Sequence, residues 1–567
     1  MRAMNQAQRI VTRLIGPLCL AAGVAACHDL VNLAEQPQTF VDPASYFKTG
    51  AQAIDAVNGI YNALMTWDDW IDPAWQELTC EGPDIYCPSW WAFGYRGASA
   101  GTWFAGRTWS ANYLVIRRAN DVLGQLDKVS LDPALEERLR GEAHFLRGYA
   151  YFELARRYGA VPLRVEPYVS DGTYGDAPRA PFEAVYATIV NDLKAAAQEL
   201  PADFASKTYS SADRGRPTAP SAWGLLSKVY LTMAGAELAG TPLAAAKQQY
   251  NDSARVAAQH VTQSGWVTLE TDYMRLFDWQ QQVNSNEVLF QIGATHQENT
   301  GPELVTFFNP PDYSTGGGGG AGFLSMRRVF YETFEPADRR IAPGYAVFAA
   351  WKRSGSASDP GTPTWYEGSV PDSIKTQIAT ATQVGWAWMG DNACDTVGWS
   401  RYNLGGGRFV EVSPQIFTMK YVDRTALTKS QNSNNPIILR YADVLLVLAE
   451  AENEVNGPTA AAYDAIDQVR TRAGLANLTA GLTQAQFRDA VWLERRHELY
   501  AEFQEWFDLK RQGRWLGIMN NQIAGYPGSS RPSASICQQG RQPYQLLLPI
   551  PAAEIGANRL ITQNPGY

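Results

Sequence analysis

Glu494, Glu498 and Glu502 recur every four residues, a spacing that puts three carboxylates on one face of a helix. Two carboxylates held at a fixed separation are the working groups of glycoside hydrolysis, so this triplet is the first candidate for chemistry. Its neighbours point elsewhere. Arg495, Arg496, Lys510 and Arg511 lie among the acids, and Arg440 and Asp443 open a second predicted helix. Acids interleaved with so many cations read as an ion-pair and capping network that locks helices together, in preference to a catalytic pair.

The aromatic side chains carry a stronger signal. Of 18 tryptophans, seven fall in one stretch: Trp67, Trp70, Trp75, Trp90, Trp91, Trp103 and Trp109. Tyr86, Phe93 and Tyr95 join them among many Gly, Pro, Asp and Ser, with no helical or strand period across 77–104. So many rings in a loop cannot all be buried. Exposed ring faces are apolar with a negative quadrupole, which complements the axial C–H face of a pyranose. Trp75, Tyr86, Trp90, Trp91, Phe93, Tyr95, Arg96 and Trp103 are therefore the candidate ligand contacts. Asp84 and Asn112 are further candidates to hydrogen-bond hydroxyls, whereas Trp67, Trp109 and Tyr113 flank helices and are expected to pack in the core. Two rival readings remain. A surface glycoside hydrolase would draw its acids from Asp68, Asp69, Asp72, Glu77, Glu81 or Asp84, and a helical scaffold that binds only protein would need no ring to touch a glycan.

Other chemistry is poorly supported. His28, His144, His260, His296 and His497 are scattered, and Cys80 and Cys87 fit no zinc spacing. His497-Glu498 lacks the second histidine of a zinc-protease motif, and the run 316–320 is five glycines without the Lys-Ser/Thr ending of a phosphate loop. No metal or cofactor is expected. Cys80 and Cys87 are the first choice for a disulfide, which would pre-order the aromatic stretch; Cys394 with Cys537 is the remaining pair.

The N-terminus has Arg2, Arg9 and Arg13, then an apolar run that ends Val24-Ala25-Ala26-Cys27. A basic start, an apolar middle and small residues before the cut make a secretory signal. The closing tetrapeptide resembles the bacterial lipobox, in which the cysteine is lipidated and becomes the new N-terminus. Ordinary cleavage after Ala26 is the alternative. Loss of residues 1–26 removes three arginines and no acid, taking the formal charge from −9 to −12. An acidic body disfavours nucleic acid as a partner.

Positioning falls to two helical blocks. The first covers 51–65, 110–128, 132–158, 181–200, 221–234 and 243–263; the second covers 440–456, 459–473, 483–500 and 501–512. In the 132–158 segment, Leu135, Leu139, Ala143, Leu146, Ala150 and Leu154 follow the helix period. Asp132-Pro133 is a start signal and Gly159 a stop. Residues 265–435 are loop-rich with short strand-like runs such as 287–292. Helix pairs with short turns predict a mainly α fold of tetratricopeptide-like hairpins, an α-superhelical scaffold with a loop-rich C-terminal half containing short β-strands.

Several segments together resemble the SusD/RagB family. They are Glu142-Ala143-His144-Phe145-Leu146-Arg147-Gly148-Tyr149 running into Arg157-Tyr158-Gly159-Ala160-Val161-Pro162-Leu163; Arg440-Tyr441-Ala442-Asp443-Val444 with Ala449-Glu450-Ala451-Glu452; Val469-Arg470-Thr471-Arg472-Ala473-Gly474; Glu494-Arg495-Arg496-His497-Glu498-Leu499 with Trp506-Phe507-Asp508-Leu509-Lys510-Arg511; and Leu548-Pro549-Ile550-Pro551 through Gln563-Asn564-Pro565-Gly566-Tyr567. The resemblance implies a signal peptide over 1–26, a helical-repeat region with the aromatic loop over 27–264, and a loop-rich then helical region over 265–567. It implies a structural role for the acid triplet. It also implies an outer-membrane lipoprotein facing the cell exterior, which captures oligosaccharide or another nutrient for a partner TonB-dependent (SusC-like) transporter. In such a protein, loops further on would add to the glycan platform, here Tyr273, Trp279, Phe307, Tyr313 or Phe323.

Overall fold

The computed structural model describes residues 47–64, 82–86, 98–168, 175–294, 308, 324–326, 328–342, 345–354, 364–367, 372–387, 399–423, 433–524 and 541–567. Its longer helices are α1 (Gly50–Leu64), α2 (Trp103–Leu123), α3 (Pro133–Tyr158), α4 (Phe182–Glu199), α5 (Ala219–Met233), α6 (Lys247–Thr262), α7 (Asp372–Thr380), α8 (Tyr441–Asn456), α9 (Ala460–Arg472), α10 (Gln484–Glu498), α11 (Glu505–Arg511) and α12 (Trp515–Ala524).

Helix α3 starts and stops where its sequence says. Asp132 accepts from the Ala134 and Leu135 amides, Pro133 takes the first position, and Gly159 ends the helix at φ 79°. It is buried on nearly every side, because α2 and α4 flank it. A Cβ on Gly148 would meet Leu193 Cγ at 3.1 Å, so glycine permits the close approach of α4. The stack then continues in chain order: α1 to α6 each pack on the next, and α6 packs on α8, which also holds α9 and α10. This is the mainly helical scaffold that the sequence predicts, and residues 49–567 cluster as one unit. Among the described residues no helix is long and apolar enough to cross a membrane.

Several boundaries differ from expectation, among them the end of α2 at Leu123 and the start of α6 at Lys247, each flanked by a 3-10 turn, and two differences are informative. Helix α2 begins at Trp103, seven residues before the predicted start, because the Gly- and Trp-rich composition of its first turns hides the period. Residues 501–512 are not one helix. Ala501 (φ 62°) and Phe503 (φ 61°) are left-handed, and α11 begins only at Glu505. The cause is tertiary. Lys420 Nζ donates to the Glu498 and Tyr500 carbonyls and Tyr421 Oη to the Ala501 carbonyl, so donors from another element take over the carbonyls at the helix end.

The strands are antiparallel. β1 (Ile85–Tyr86), β3 (Ser325–Met326), β8 (Phe409–Thr418), β4 (Val347–Ser354) and β5 (Thr364–Glu367) lie side by side, and β7 (Trp399–Asn403) and β6 (Thr382–Ala387) attach through β8. The eight and ten residues of β4 and β8 exceed the short runs legible in sequence. A separate pair joins β2 (Val288–Gln291), inside the predicted run 287–292, to β9 (Ile437–Arg440), with Val288 opposite Arg440. The C-terminal tail clamps α3: the Leu548 amide donates to the Arg157 carbonyl at 2.6 Å, and Asn564 Nδ2 to the Tyr158 carbonyl at 3.0 Å.

Candidate functional site

The acid triplet is a frame. Arg440, 1% exposed, reaches Glu502 at 2.8 Å and Glu287 at 3.0 Å, and also pairs with Glu498. Arg340 meets Glu494 at 2.6 Å and Glu498 at 2.9 Å, Arg472 pairs with Glu287 and Glu498, and Lys420 meets Glu502 at 2.7 Å. Burial by itself would raise the Glu498 carboxyl. The charges of Arg472, Arg440, Arg340 and Lys420 outweigh it and hold the group well below the usual carboxylate range. Glu502 belongs to this network from the turn after α10, not from its face. Burial, with Arg340 and Arg496 next, lowers His497 to about 2, so its ring is neutral. No member of the triplet keeps a free carboxylate for substrate.

Two expected ligand contacts belong to this interior. Tyr273 is 2% exposed and donates its hydroxyl to the Glu498 carbonyl at 2.9 Å. Asp84 is buried and ion-paired with Arg496. Neither faces a ligand, and Asn112, also buried, donates to the Thr108 carbonyl one turn back. Each answers the rule that a buried polar group finds a protein partner.

Asp84 instead anchors the aromatic stretch. Its ion pair to α10 sits beside β1, and β1 pairs with β3, Ile85 opposite Met326 and Tyr86 opposite Ser325. One strand pair therefore joins Ile85–Tyr86 to Ser325–Met326, while Phe323 lies outside the described residues. Trp75, Trp90, Trp91, Phe93, Tyr95 and Arg96 lie outside the described residues, as do Trp67, Phe307, Tyr313, Cys27, Cys80, Cys87, Cys394 and Cys537.

Trp103 is described, and it is 50% exposed on the first turn of α2, with the Arg107 guanidinium 5.1 Å from its ring centre. Trp109 is buried as expected, its Nε1 donating to Glu554 at 3.3 Å, and the Tyr113 hydroxyl donates to the Pro162 carbonyl at 2.7 Å. Trp103, Arg107, Ser110, Leu114 and Arg117 follow three- and four-residue steps, so they share the outward face of α2 over about 21 Å. The far end of that face opens into a cleft of about 340 Å³ lined by Trp109, Ser110, Tyr113, Leu114, Arg117, Pro162, Arg164 and Glu554. Sequence reasoning missed Arg117 and Arg164; the stripe is legible only once α2 is started at Trp103. Trp279 lines a second cleft of about 420 Å³ with Asp272, Asp278 and Tyr345. Aromatic walls with a few polar groups suit sugar rings; among the described residues no group of three or more His, Cys, Asp or Glu could hold a metal ion.

Residues 286–567 match the family model described as SusD family, and residues 101–231 match one described as starch-binding associating with outer membrane. SusD-like protein P2 of Formosa agariphila is 25% identical over 574 residues, covering 97% of this chain and 98% of the relative. A SusD-like protein of Bacteroides ovatus is 26% identical over 438 residues, covering 74% of this chain and 68% of the relative. The crystal structure of a SusD homolog from Bacteroides thetaiotaomicron shares the fold with a TM-score of 0.73 at 23% identity, covering 94% of this chain and 100% of that one. A laminarin-binding SusD-like protein does so with a TM-score of 0.66 at 21% identity, covering 92% and 100%. With the signature segments forming the frame and the helix stack of these structures around it, the chain belongs to the SusD/RagB family.

Proposed function

We propose that the protein is a non-catalytic, lipid-anchored surface protein that captures oligosaccharide and delivers it to a partner TonB-dependent outer-membrane transporter. The observation that carries the reading is the half-exposed Trp103 at the head of an outward aromatic and polar face, on a chain matching a family described as starch-binding associating with outer membrane. An open indole face offers a sugar ring an apolar surface at little conformational cost. The laminarin-binding neighbour makes a β-glucan a sensible first probe. The non-catalytic part is supported by the pairing of Glu494, Glu498, Glu502 and Asp84, which leaves these acids committed to guanidinium and ammonium partners.

Affinity electrophoresis through gels loaded with laminarin, starch and other polysaccharides tests the reading. The wild-type chain is retarded by at least one glycan, and the triple change Trp90→Ala, Trp91→Ala, Trp103→Ala weakens that retention. Retention unchanged in the triple variant would remove the aromatic platform. Release of reducing sugar, abolished by one carboxylate-to-amide change, would replace capture with hydrolysis.

A further inference from the structure

The cleft at the far end of the α2 face carries more charge than a neutral sugar needs. Arg117 and Arg164 line it together with Trp109, Tyr113 and Glu554. The Arg117 guanidinium lies 4.4 Å from the ring centre of Tyr168, which is itself 42% exposed. A guanidinium stacked on a ring is held flat while its N–H edge stays available for an oxyanion. Among the described residues, no carboxylate lies within ion-pair distance of Arg117. Two described acids near it accept hydrogen bonds from neutral donors, and Asp121 also feels the charge of Arg117. Glu554 accepts from Trp109 Nε1 at 3.3 Å and from Asn558 Nδ2 at 3.2 Å. Asp121, one turn beyond Arg117, accepts the Tyr168 amide at 3.3 Å. Arg164 donates to the Gly175 carbonyl and adds its charge to the cleft wall. Arg107, over Trp103, extends the same sign along the helix. On a chain with net charge −9, two arginines and one carboxylate at an aromatic cleft give it a local excess of positive charge.

We propose that this cleft binds an acidic saccharide, one bearing carboxylate or sulfate groups, with Arg117 as the oxyanion contact and Tyr113 and Leu114 beneath the sugar. The inference rests on the glycan-capture reading and adds the charge class of the ligand. A planar guanidinium meets a carboxylate or sulfate through two parallel hydrogen bonds, which a lysine cannot reproduce.

Calorimetry on the full chain tests it with four probes: an oligogalacturonate, a sulfated oligosaccharide, a neutral laminari-oligosaccharide and a short polyglutamate. At least one acidic saccharide binds more tightly than the neutral one, and the advantage shrinks as salt is raised. Arg117→Gln weakens that acidic ligand about tenfold or more, a larger loss than it causes for the neutral glycan, and Arg117→Lys recovers only part of that loss. Binding of oligogalacturonate alone assigns the site to carboxylate; binding of both acidic saccharides assigns it to oxyanions generally. Thermal melts of both variants check that the fold survives, since Arg117 is on the surface face of α2. Equal affinity for acidic and neutral saccharides, or acidic binding unmoved by Arg117→Gln, overturns the proposal while leaving glycan capture intact. Polyglutamate binding as tightly as the acidic saccharides with the same Arg117 dependence overturns it in favour of an acidic protein partner. If no saccharide of any charge binds, capture and this inference fall together.

Discussion

Glu505→Gln should make the protein more stable as pH rises, relative to wild type, and the reason lies in one charge imbalance. Asp84, Arg496 and Glu505 place two carboxyl groups against one guanidinium. Arg496 Nε lies 3.1 Å from Asp84 Oδ2 and 3.5 Å from Glu505 Oε1. Gly82 packs so tightly on Glu505 that a Cβ there would fall 2.0 Å from Oε2. Burial first, then the charge of Asp84 and a hydrogen bond to it, push the Glu505 carboxyl well above its ordinary value. The folded protein therefore keeps a proton on Glu505 that the unfolded chain releases near pH ~4.3. With a raised native pKa, the stabilising contribution is complete below about pH 4.3 and is lost as pH climbs toward the native value. The slope is at most about 1.4 kcal/mol per pH unit. The Glu505 side chain keeps 18% exposure, so solvent screening lowers the yield, and a total of about 1–3 kcal/mol between about pH 5 and about pH 7 is the working range. Glutamine keeps the shape and the donor but cannot ionise. Urea unfolding followed by tryptophan fluorescence, run on both proteins across that interval, should show the variant gaining on wild type at each step. A difference that stays flat with pH would refute the shared proton.

The remaining predictions concern the frame and the anchor. Arg440→Met should cost about 3–5 kcal/mol, read from denaturant midpoints, because Glu287, Glu498 and Glu502 lose a buried counter-charge. Glu498 and Glu502 are held below the usual carboxylate range, so their contribution is full above about pH 4.3 and fades as pH falls through their native values. Acid titration of wild type should therefore unfold the chain steeply below that point, and Arg440→Met should flatten the acid limb. Cys27→Ser should release the protein from the membrane fraction of its host; a variant still sedimenting with membranes would exclude lipidation as the anchor.

What was legible in sequence follows from where the physics is local. Helix α3 has its cap, its period and its stop within 28 residues of one another, Asp132 to Gly159, so reading it needs no knowledge of the rest. The ion-pair frame was legible in kind, because acids and arginines alternate along residues 494–511. Its geometry was not. The left-handed turn at Ala501 and Phe503 depends on Lys420 and Tyr421, some 80 positions away. Asp84 looked like a ligand contact for the same reason: nothing near it in sequence announces Arg496 as its partner. Composition made residues 77–104 read as loop and hid the first turns of α2, and with them the stripe from Trp103 to Arg117. Tyr273 misled in the opposite direction, an aromatic in a loop-rich region that is wholly interior.

The buried charge is distributed so that a single cluster ties many elements together. Glu287, Arg340, Lys420, Arg440, Arg472, Glu498 and Glu502 come from separate elements and meet in one cluster. Such a cluster adds little net stability over apolar packing, yet each wrong register leaves an unpaired buried charge, so it penalises misassembly heavily. In the described part of the aromatic stretch, Asp84 pairs with Arg496, outside that cluster. The stretch's described attachments are the two-residue strand β1 and that ion pair. A change at Arg440 or Glu498, by contrast, reaches every element that meets in the cluster. Segments that resemble the family's signatures fall in this interior, since Arg440, Arg472 and Glu498 belong to the cluster and Glu494 pairs with its Arg340.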